Sequence, residues 1–395
     1  MIVSILDTDL YKFSTSYAYF SQYPLAEGTF KFNDRNKENW NEHPEFLEQI
    51  NYEFAKLQNL QLRDDECSWC IEHIPYIPHI YWEWLKSFRF DPEKIKCSLD
   101  ENGVFQCEVT DYMCKVTLYE IAILATYAEV RNKVLDYNGK IHTDDVKRII
   151  DNKIRYANKY NLPFAEFGTR RRFSYYVQDT IIRELKYYST TCAGTSNVHF
   201  AMKYDMVPSG TFPHEWVMFH AGVFGFKRAN YMAGEVWIKV YDGNLGTFLL
   251  DTYTTKSSLR TMPLKQLLLF SGFRQDSGDE FKIGNMVIKR LREVGIDPKS
   301  KLIVFSNALD FEKYKEIHEY FDGRIKVSAG IGTNLTCDPG IEDYQPANIV
   351  MKLSKCRMSN KDPWEDVIKI SDDLGKHMGN EQEFEIAKHE LHLTD

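Results

Sequence analysis

The sequence predicts an α/β protein whose second half is a parallel sheet or an α/β barrel, joined to a first half of mixed α and β character. Three observations carry this. Short buried-strand runs recur at 247–250, 267–270, 302–305, 325–327 and 349–353. Amphipathic helical patterns separate two pairs of them: one over 283–294, closed by Gly295, and one over 310–321 with Phe311, Tyr314, Ile317 and Phe321 in a stripe. Strand and helix alternating in this way mean right-handed βαβ units. In the first half, Asn102-Gly103 lies between alternating runs at 95–99 and 104–109, which predicts a hairpin. Residues 118–130 have helical spacing, and Phe173, Tyr176, Val177, Thr180, Ile181 and Leu185 share one helical face over 173–188.

The chain has 395 residues, enough for two or three domains, and its 43% apolar content supports a large core rather than disorder. A net charge of −8 argues against a general nucleic-acid binder. Apolar stretches such as 121–128 fall far short of the roughly 20 residues that span a bilayer. The N-terminus shows no basic n-region or cleavage site, so a soluble, cytoplasmic protein without a membrane partner is expected. The eight cysteines are scattered. Cys67-Ser-Trp-Cys70 is a lone C-x-x-C with His73 and His79 nearby, and the expectation is reduced thiols in a packing region.

Each second-half strand run is followed by a polar cluster. Asp251-Thr-Tyr253 follows the first, 271–279 the second, Ser306-Asn307 the third and 328–334 the fourth. Asp310 suits a helix N-cap, but four such turns exceed what capping needs, so a shared site at the carboxyl ends of the strands is expected. Arg274 and Asp276, two residues apart at a strand's end, point to one side, pairing a cation for an anionic substrate with a carboxylate for sugar hydroxyls or a metal. Arg170, Arg171 and Arg172 precede a helix, where the macrodipole disfavours cations, so an anionic ligand is expected there. Residues 191–197 read as a loop between helices, and His214 as a single histidine in a polar loop beside a carboxylate. His214 and His220 do not form H-E-x-x-H, which excludes a zincin. Gly330-Ile-Gly332 lacks the third glycine of a dinucleotide fingerprint and reads as a backbone cradle for one phosphate. No Walker A and no G-x-S-x-G motif occurs.

The ordered motifs 7–12 (DTDLYK), 166–170 (EFGTR), 194–197 (GTSN), 214–216 (HEW), 274–278 (RQDSG) and 328–332 (SAGIG) resemble those of the nicotinate phosphoribosyltransferase family, from about residue 7 to 353. The resemblance implies an N-terminal α/β sandwich over 1–125, joined by the tail 355–395, packed on an irregular α/β barrel over 126–354. It implies a homodimer with sites at the subunit interface. The reaction would join nicotinate to 5-phosphoribosyl 1-pyrophosphate, coupled to ATP hydrolysis, with substrate-bound Mg²⁺ and no metal-ligand set in the protein. Phe167 and the partner subunit's Tyr11 would sandwich the pyridine ring. Arg274 would face the nicotinate carboxylate, Asp276 the ribose, and Asp251 the ribose or its metal. Arg170 would serve the phosphates, and the turns with Ser306, Asn307, Gly330, Gly332 and Thr333 the 5-phosphate. His214 matches the histidine phosphorylated by ATP.

A nicotinamide-using relative carries an aspartate where Ser196 stands, so Ser196 is expected to leave the pocket without that charge. A quinolinate enzyme would need more basic residues for two carboxylates. A silent regulatory relative would be expected to lack His214 or Asp276, and both are present.

Overall fold

The computed structural model describes residues 1–373 and 379–393, so residues 374–378 and 394–395 of the expected tail lie outside the described residues. In chain order the strands are β1 (Glu27–Asp34), β2 (Ile95–Leu99), β3 (Phe105–Tyr112), β4 (Phe164–Glu166), β5 (Cys192–Thr195), β6 (Thr247–Leu249), β7 (Gly272–Gln275), β8 (Leu302–Phe305), β9 (Lys326–Ile331), β10 (Ile349–Arg357) and β11 (Glu365–Asp366). Two compact units result. The first comprises Met1–Tyr17, Thr29–Ser209 and Ile331–Lys352; the second comprises Ala18–Gly28, Gly210–Gly330 and Leu353–Asp395. Residues 126–209, expected with a barrel, fall in the first unit.

In the first unit β3 lies between β1 and β2, and β10 flanks β1. The hairpin forms as predicted: Ile95 opposes Val109, Leu99 opposes Phe105, and Gly103 takes φ +74°, which a side chain would resist. Along β3, buried Phe105, Cys107 and Val109 alternate with exposed neighbours. The run 349–353, expected among the parallel strands, instead begins β10 beside β1. An apolar run shows that a strand is buried, not which neighbour it takes. β4 and β5 are parallel, so 191–197 contains a strand rather than a plain loop. The helix Tyr119–Val134 is buried from Tyr119 to Asn132. The charged groups of that buried stretch are paired: Glu120 with Lys12, Glu129 with Arg172, and Arg131 with Glu38.

In the second unit β6, β7, β8 and β9 are adjacent and parallel, with Thr247 opposite Gly272, Gly272 opposite Leu302, and Leu302 opposite Lys326. The crossovers are the helices Glu280–Glu293 and Phe311–Phe321, capped by the Asp279 and Asp310 side chains. Gly295 at φ +77° closes the first of them. One strand expectation is corrected. Residues 267–270 belong to the helix Leu264–Leu269 and its end, and the strand begins at Gly272. Leu267 is buried while Leu268 and Leu269 are exposed, a one-sided burial that suits a helix. A Cβ at Gly272 would run into the Leu302 carbonyl, so glycine is required where β7 meets β8. The fold is mixed α/β with parallel and antiparallel pairing. Among the described residues no helix is long and apolar enough to cross a membrane.

Arg172, grouped by sequence with Arg170 and Arg171 as an anion ligand, is a structural ion. It is fully buried and bonds Asp7 through both oxygens at 2.7 and 3.1 Å, Glu129 at 2.9 Å and Gln178 at 3.3 Å. Burial by itself would raise the Asp7 carboxyl, but the Arg172 guanidinium holds it below its ordinary value. Replacing Arg172 with methionine leaves Asp7 without its cation and Glu129 with only the Met1 ammonium. The expected loss is about 3–5 kcal/mol, read as a lower urea midpoint at unchanged slope. A midpoint shift under 1 kcal/mol would contradict this structural role.

Candidate functional site

The parallel strands of the second unit deliver their following residues side by side. Leu249 pairs with Arg274, and Gln275 pairs with Phe305. The positions just beyond the strand ends are therefore Asp251, Asp276 and Ser306, abreast at one carboxyl edge. Because β7 begins at Gly272, Arg274 stands on the strand itself, not in a loop, and its direction is set by the pleat. Its guanidinium donates from Nε to Ser306 Oγ, from Nη1 to Thr211 Oγ1 and from Nη2 to Asp276 Oδ1, each at 2.8 Å. Ser306 also donates to Asp276 Oδ1 at 2.7 Å.

His214 is not in a loop but is the first residue of the helix His214–Phe224. Its Nδ1 lies 3.0 Å from Thr252 Oγ1, and its Nε2 lies 3.2 Å from Asp276 Oδ2 and 3.0 Å from Lys369 Nζ. Asp251 is fully buried. Its Oδ2 accepts from Ser277 at 2.6 Å and Lys369 at 3.4 Å, while Oδ1 makes no hydrogen bond among the described residues and lies 3.9 Å from His214 Nε2. Burial would raise the Asp276 carboxyl, but Arg274 first, then His214 and Lys369, hold it well below its ordinary value. Asp276 is thus a carboxylate throughout the physiological range.

Lys369 and Thr211 escaped the sequence reading, and Thr252 entered it only as part of the polar cluster after the first strand run. Nothing in the spacing marks Lys369, a single lysine far along the chain. It is placed by its neighbours: Ile368 O accepts from Tyr253, Ile370 N–H donates to Thr252 O, Asp372 accepts twice from Thr255, and Asp373 accepts from Gly278 N–H. The flanking Ser371-Asp372-Asp373 cluster was the only local signal.

The first unit holds the other expected residues. Glu166, at the end of β4, is fully buried. It accepts from the Thr195 hydroxyl at 2.5 Å, the Gly168 N–H at 2.6 Å and the Gln178 amide at 3.2 Å. Burial, only partly offset by these donors, pushes it up to about 7. Ser196 carries no charge of its own, and its hydroxyl donates to the buried Asp9 carboxyl at 2.8 Å. Burial raises Asp9 above its ordinary value. Phe167 and Arg170 are half-buried beside these groups in the chain, and Tyr11 is half-buried on the helix Leu10–Gln22. Arg171 bonds the backbone of Ile349 and the side chain of Asn348.

The turn expected to cradle a phosphate is split between a strand and a helix start. Gly330 lies within β9, and only Gly332 and Thr333 stand at the turn into the short helix Thr333–Thr336. Gly332 is required because a Cβ there would come 2.6 Å from the Phe167 carbonyl. Asn307 lies in the half-buried bend after β8. Cys67 and Cys70 are buried thiols, pushed up chiefly by burial, with no metal-ligand grouping around them among the described residues. The grouping that does have metal-ligand spacing is His214, Asp251 and Asp276, with ligand atoms within 4.8 Å of one another.

Comparison with known proteins decides the family. Residues 6–127 match the model of the nicotinate phosphoribosyltransferase N-terminal domain, and residues 162–394 match that of the nicotinate phosphoribosyltransferase family. The chain belongs to the nicotinate phosphoribosyltransferase family. It is 36% identical over 399 residues to the nicotinate phosphoribosyltransferase of Chromohalobacter salexigens, covering 100% of this chain and 99% of that protein. The crystal structure of nicotinate phosphoribosyltransferase from Porphyromonas gingivalis superposes with a TM-score of 0.96 at 43% identity, over 99% of this chain and 100% of that one. The Vibrio cholerae structure gives 0.93 at 30%, over 99% and 94%. As a member of the nicotinate phosphoribosyltransferase family, the chain is an enzyme.

The raised Glu166 carboxyl has a consequence for stability. A group whose folded value lies near 7 and whose unfolded value lies near 4.3 favours the folded state fully at low pH, and that contribution is lost as pH rises through 7. Relative to Glu166→Gln, the wild-type stability is expected to fall by up to about 1.4 kcal/mol per pH unit between roughly pH 4.5 and 7, then level off. Urea unfolding of both proteins across that range checks the sign; a flat difference would place Glu166 in the ordinary carboxylate range.

Proposed function

We propose that this enzyme transfers the phosphoribosyl group of 5-phosphoribosyl 1-pyrophosphate to the ring nitrogen of nicotinate, releasing pyrophosphate and supplying nicotinate mononucleotide for NAD biosynthesis. ATP drives the cycle by phosphorylating His214. The observation that carries the reading is the arrangement of His214, Asp276 and Arg274 at one strand edge, in a chain with this family's fold from end to end. Arg274, oriented by Ser306, Thr211 and Asp276, offers its fork to the nicotinate carboxylate. Asp276, kept ionised, accepts from ribose hydroxyls. Phe167 stacks on the pyridine ring, with Tyr11 supplied by a second copy in a homodimer. Arg170, Ser306, Asn307, Gly332 and Thr333 hold the phosphates.

Mg²⁺ would enter on the pyrophosphate. Two hard carboxylates suit it, and the partnerless Oδ1 of buried Asp251 is an oxygen fit to face it, with Asp276 beside it. When bound, the ion would neutralise charge on the leaving group. The eight cysteines are unpaired thiols, in keeping with a reducing cytoplasmic setting.

Incubation with γ-labelled ATP is expected to give an acid-labile, alkali-stable label on the wild-type chain and none on His214→Ala. A label that persists in the variant removes His214 from this role. Arg274→Ala is expected to weaken nicotinate by roughly 2–5 kcal/mol, because the substrate carboxylate loses its charged partner in a partly dry pocket. Asp276→Ala is expected to impair both phosphoribosyl pyrophosphate use and labelling, since Asp276 touches both Arg274 and His214. Steady-state KM values for both substrates, with and without ATP, are the measurement. Normal values in both variants would contradict the assignment of this strand edge.

A further inference from the structure

We propose that Lys369 readies His214 for phosphoryl transfer and then holds the transferred group. This rests on the phosphohistidine reading above and adds a residue to it.

The argument begins with what each neighbour of His214 can offer. A hydroxyl both donates and accepts, so Thr252, 3.0 Å from Nδ1, suits either tautomer. A carboxylate only accepts, so the 3.2 Å contact with Asp276 Oδ2 requires a proton on Nε2. An ammonium only donates, so the 3.0 Å contact with Lys369 Nζ requires a lone pair on Nε2, with Nδ1–H donating to Thr252. The two contacts therefore mark two states of one ring, and Lys369 selects the nucleophilic one. Asp276 at 3.2 Å and Asp251 at 3.9 Å face the same nitrogen, and neither can donate to it, so Lys369 is the neighbour that matches a lone pair there.

The transfer itself gives Lys369 its second task. The Nε2 lone pair attacks the γ-phosphorus of ATP and the N–P bond forms. The bond from that phosphorus to the β,γ-bridging oxygen breaks, and ADP leaves with the electron pair. Nδ1 keeps its proton towards Thr252. The ring now carries one positive charge and the phosphoryl group two negative ones, so a net anion stands beside two carboxylates. The Arg274 guanidinium bonds Asp276, Ser306 and Thr211, whereas Lys369 touches both Nε2 and Asp251. Its N–H turns from Nε2 to a phosphoryl oxygen without giving up its proton. The backbone on either side is pinned to Thr252 and Tyr253, the chain that also carries the partner of Nδ1, so both ring nitrogens are addressed from one rigid frame.

The test is single-turnover labelling by γ-labelled ATP in the full chain, comparing wild type with Lys369→Met, Lys369→Gln and Lys369→Arg. Thermal unfolding of each confirms a cooperative transition. The methionine and glutamine variants are expected to lose about 100-fold or more in maximal labelling rate, with the half-saturating ATP concentration little changed. Arginine, which restores the charge, is expected to recover to within about tenfold of wild type. Glutamine keeps an N–H donor and serves if methionine unfolds the segment. A wild type that labels, with methionine and glutamine variants labelling as fast, overturns the role of Lys369 and leaves the phosphohistidine standing. Equal loss in all three variants assigns Lys369 a merely structural part and also overturns it. A wild type that takes no label removes the phosphohistidine and this inference together.

Discussion

The candidate site of the second unit depends on one carboxylate held between cations. Asp276 binds the Arg274 guanidinium through one oxygen and faces His214 through the other, so a single side chain orients both the group proposed to face the substrate's charge and the group proposed to carry phosphate. Alone, such a buried acid would take up a proton; with Arg274, His214 and Lys369 around it, it stays ionised. The cluster's own charges are balanced by two acids and two permanent cations. An arriving anionic substrate therefore changes which pairs form without leaving a bare charge in a dry pocket.

Parallel strands make that balance possible. Their carboxyl ends finish in register, so residues distant in sequence, Asp251, Asp276 and Ser306, come abreast without any loop having to reach. Side chains rooted at strand ends have little freedom to lose on binding, which suits a site that must hold charge in fixed geometry. Thr252 lies next to Asp251 for the same reason, so one turn addresses His214 from both sides of its ring.

The first unit solves the same problem of buried charge in two ways. Arg172, Asp7 and Glu129 form a fully paired cluster, and Asp7 stays ionised. Asp9 and Glu166 have hydroxyl, amide and backbone donors but no cation bonded to them among the described residues, and burial raises both. The contrast separates a part built to be rigid from one that, at Glu166, can change charge near neutral pH.

Local chemistry was legible in the sequence alone. Asn102-Gly103 specified its hairpin, because positive φ is nearly reserved for such pairs. Asp310 specified a cap, and the Phe311–Phe321 stripe its helix, through one-dimensional patterns that need no partner. The spacing of Arg274 and Asp276 placed them on one side even though the strand's start was misread, since the period of two survives a shifted boundary. Three things were decided only by tertiary structure. Residues 267–270 became helix and 349–353 paired with β1, because a short apolar run is compatible with several neighbours. Arg172 went inward while Arg170 did not, because three adjacent arginines look alike until Asp7 and Glu129 come within reach of one of them. Lys369 met His214 across 155 positions of chain, and Asp9 met Ser196 across 187. Such pairs leave no mark in local spacing, because charge complementarity acts through space and the fold alone determines which groups share it.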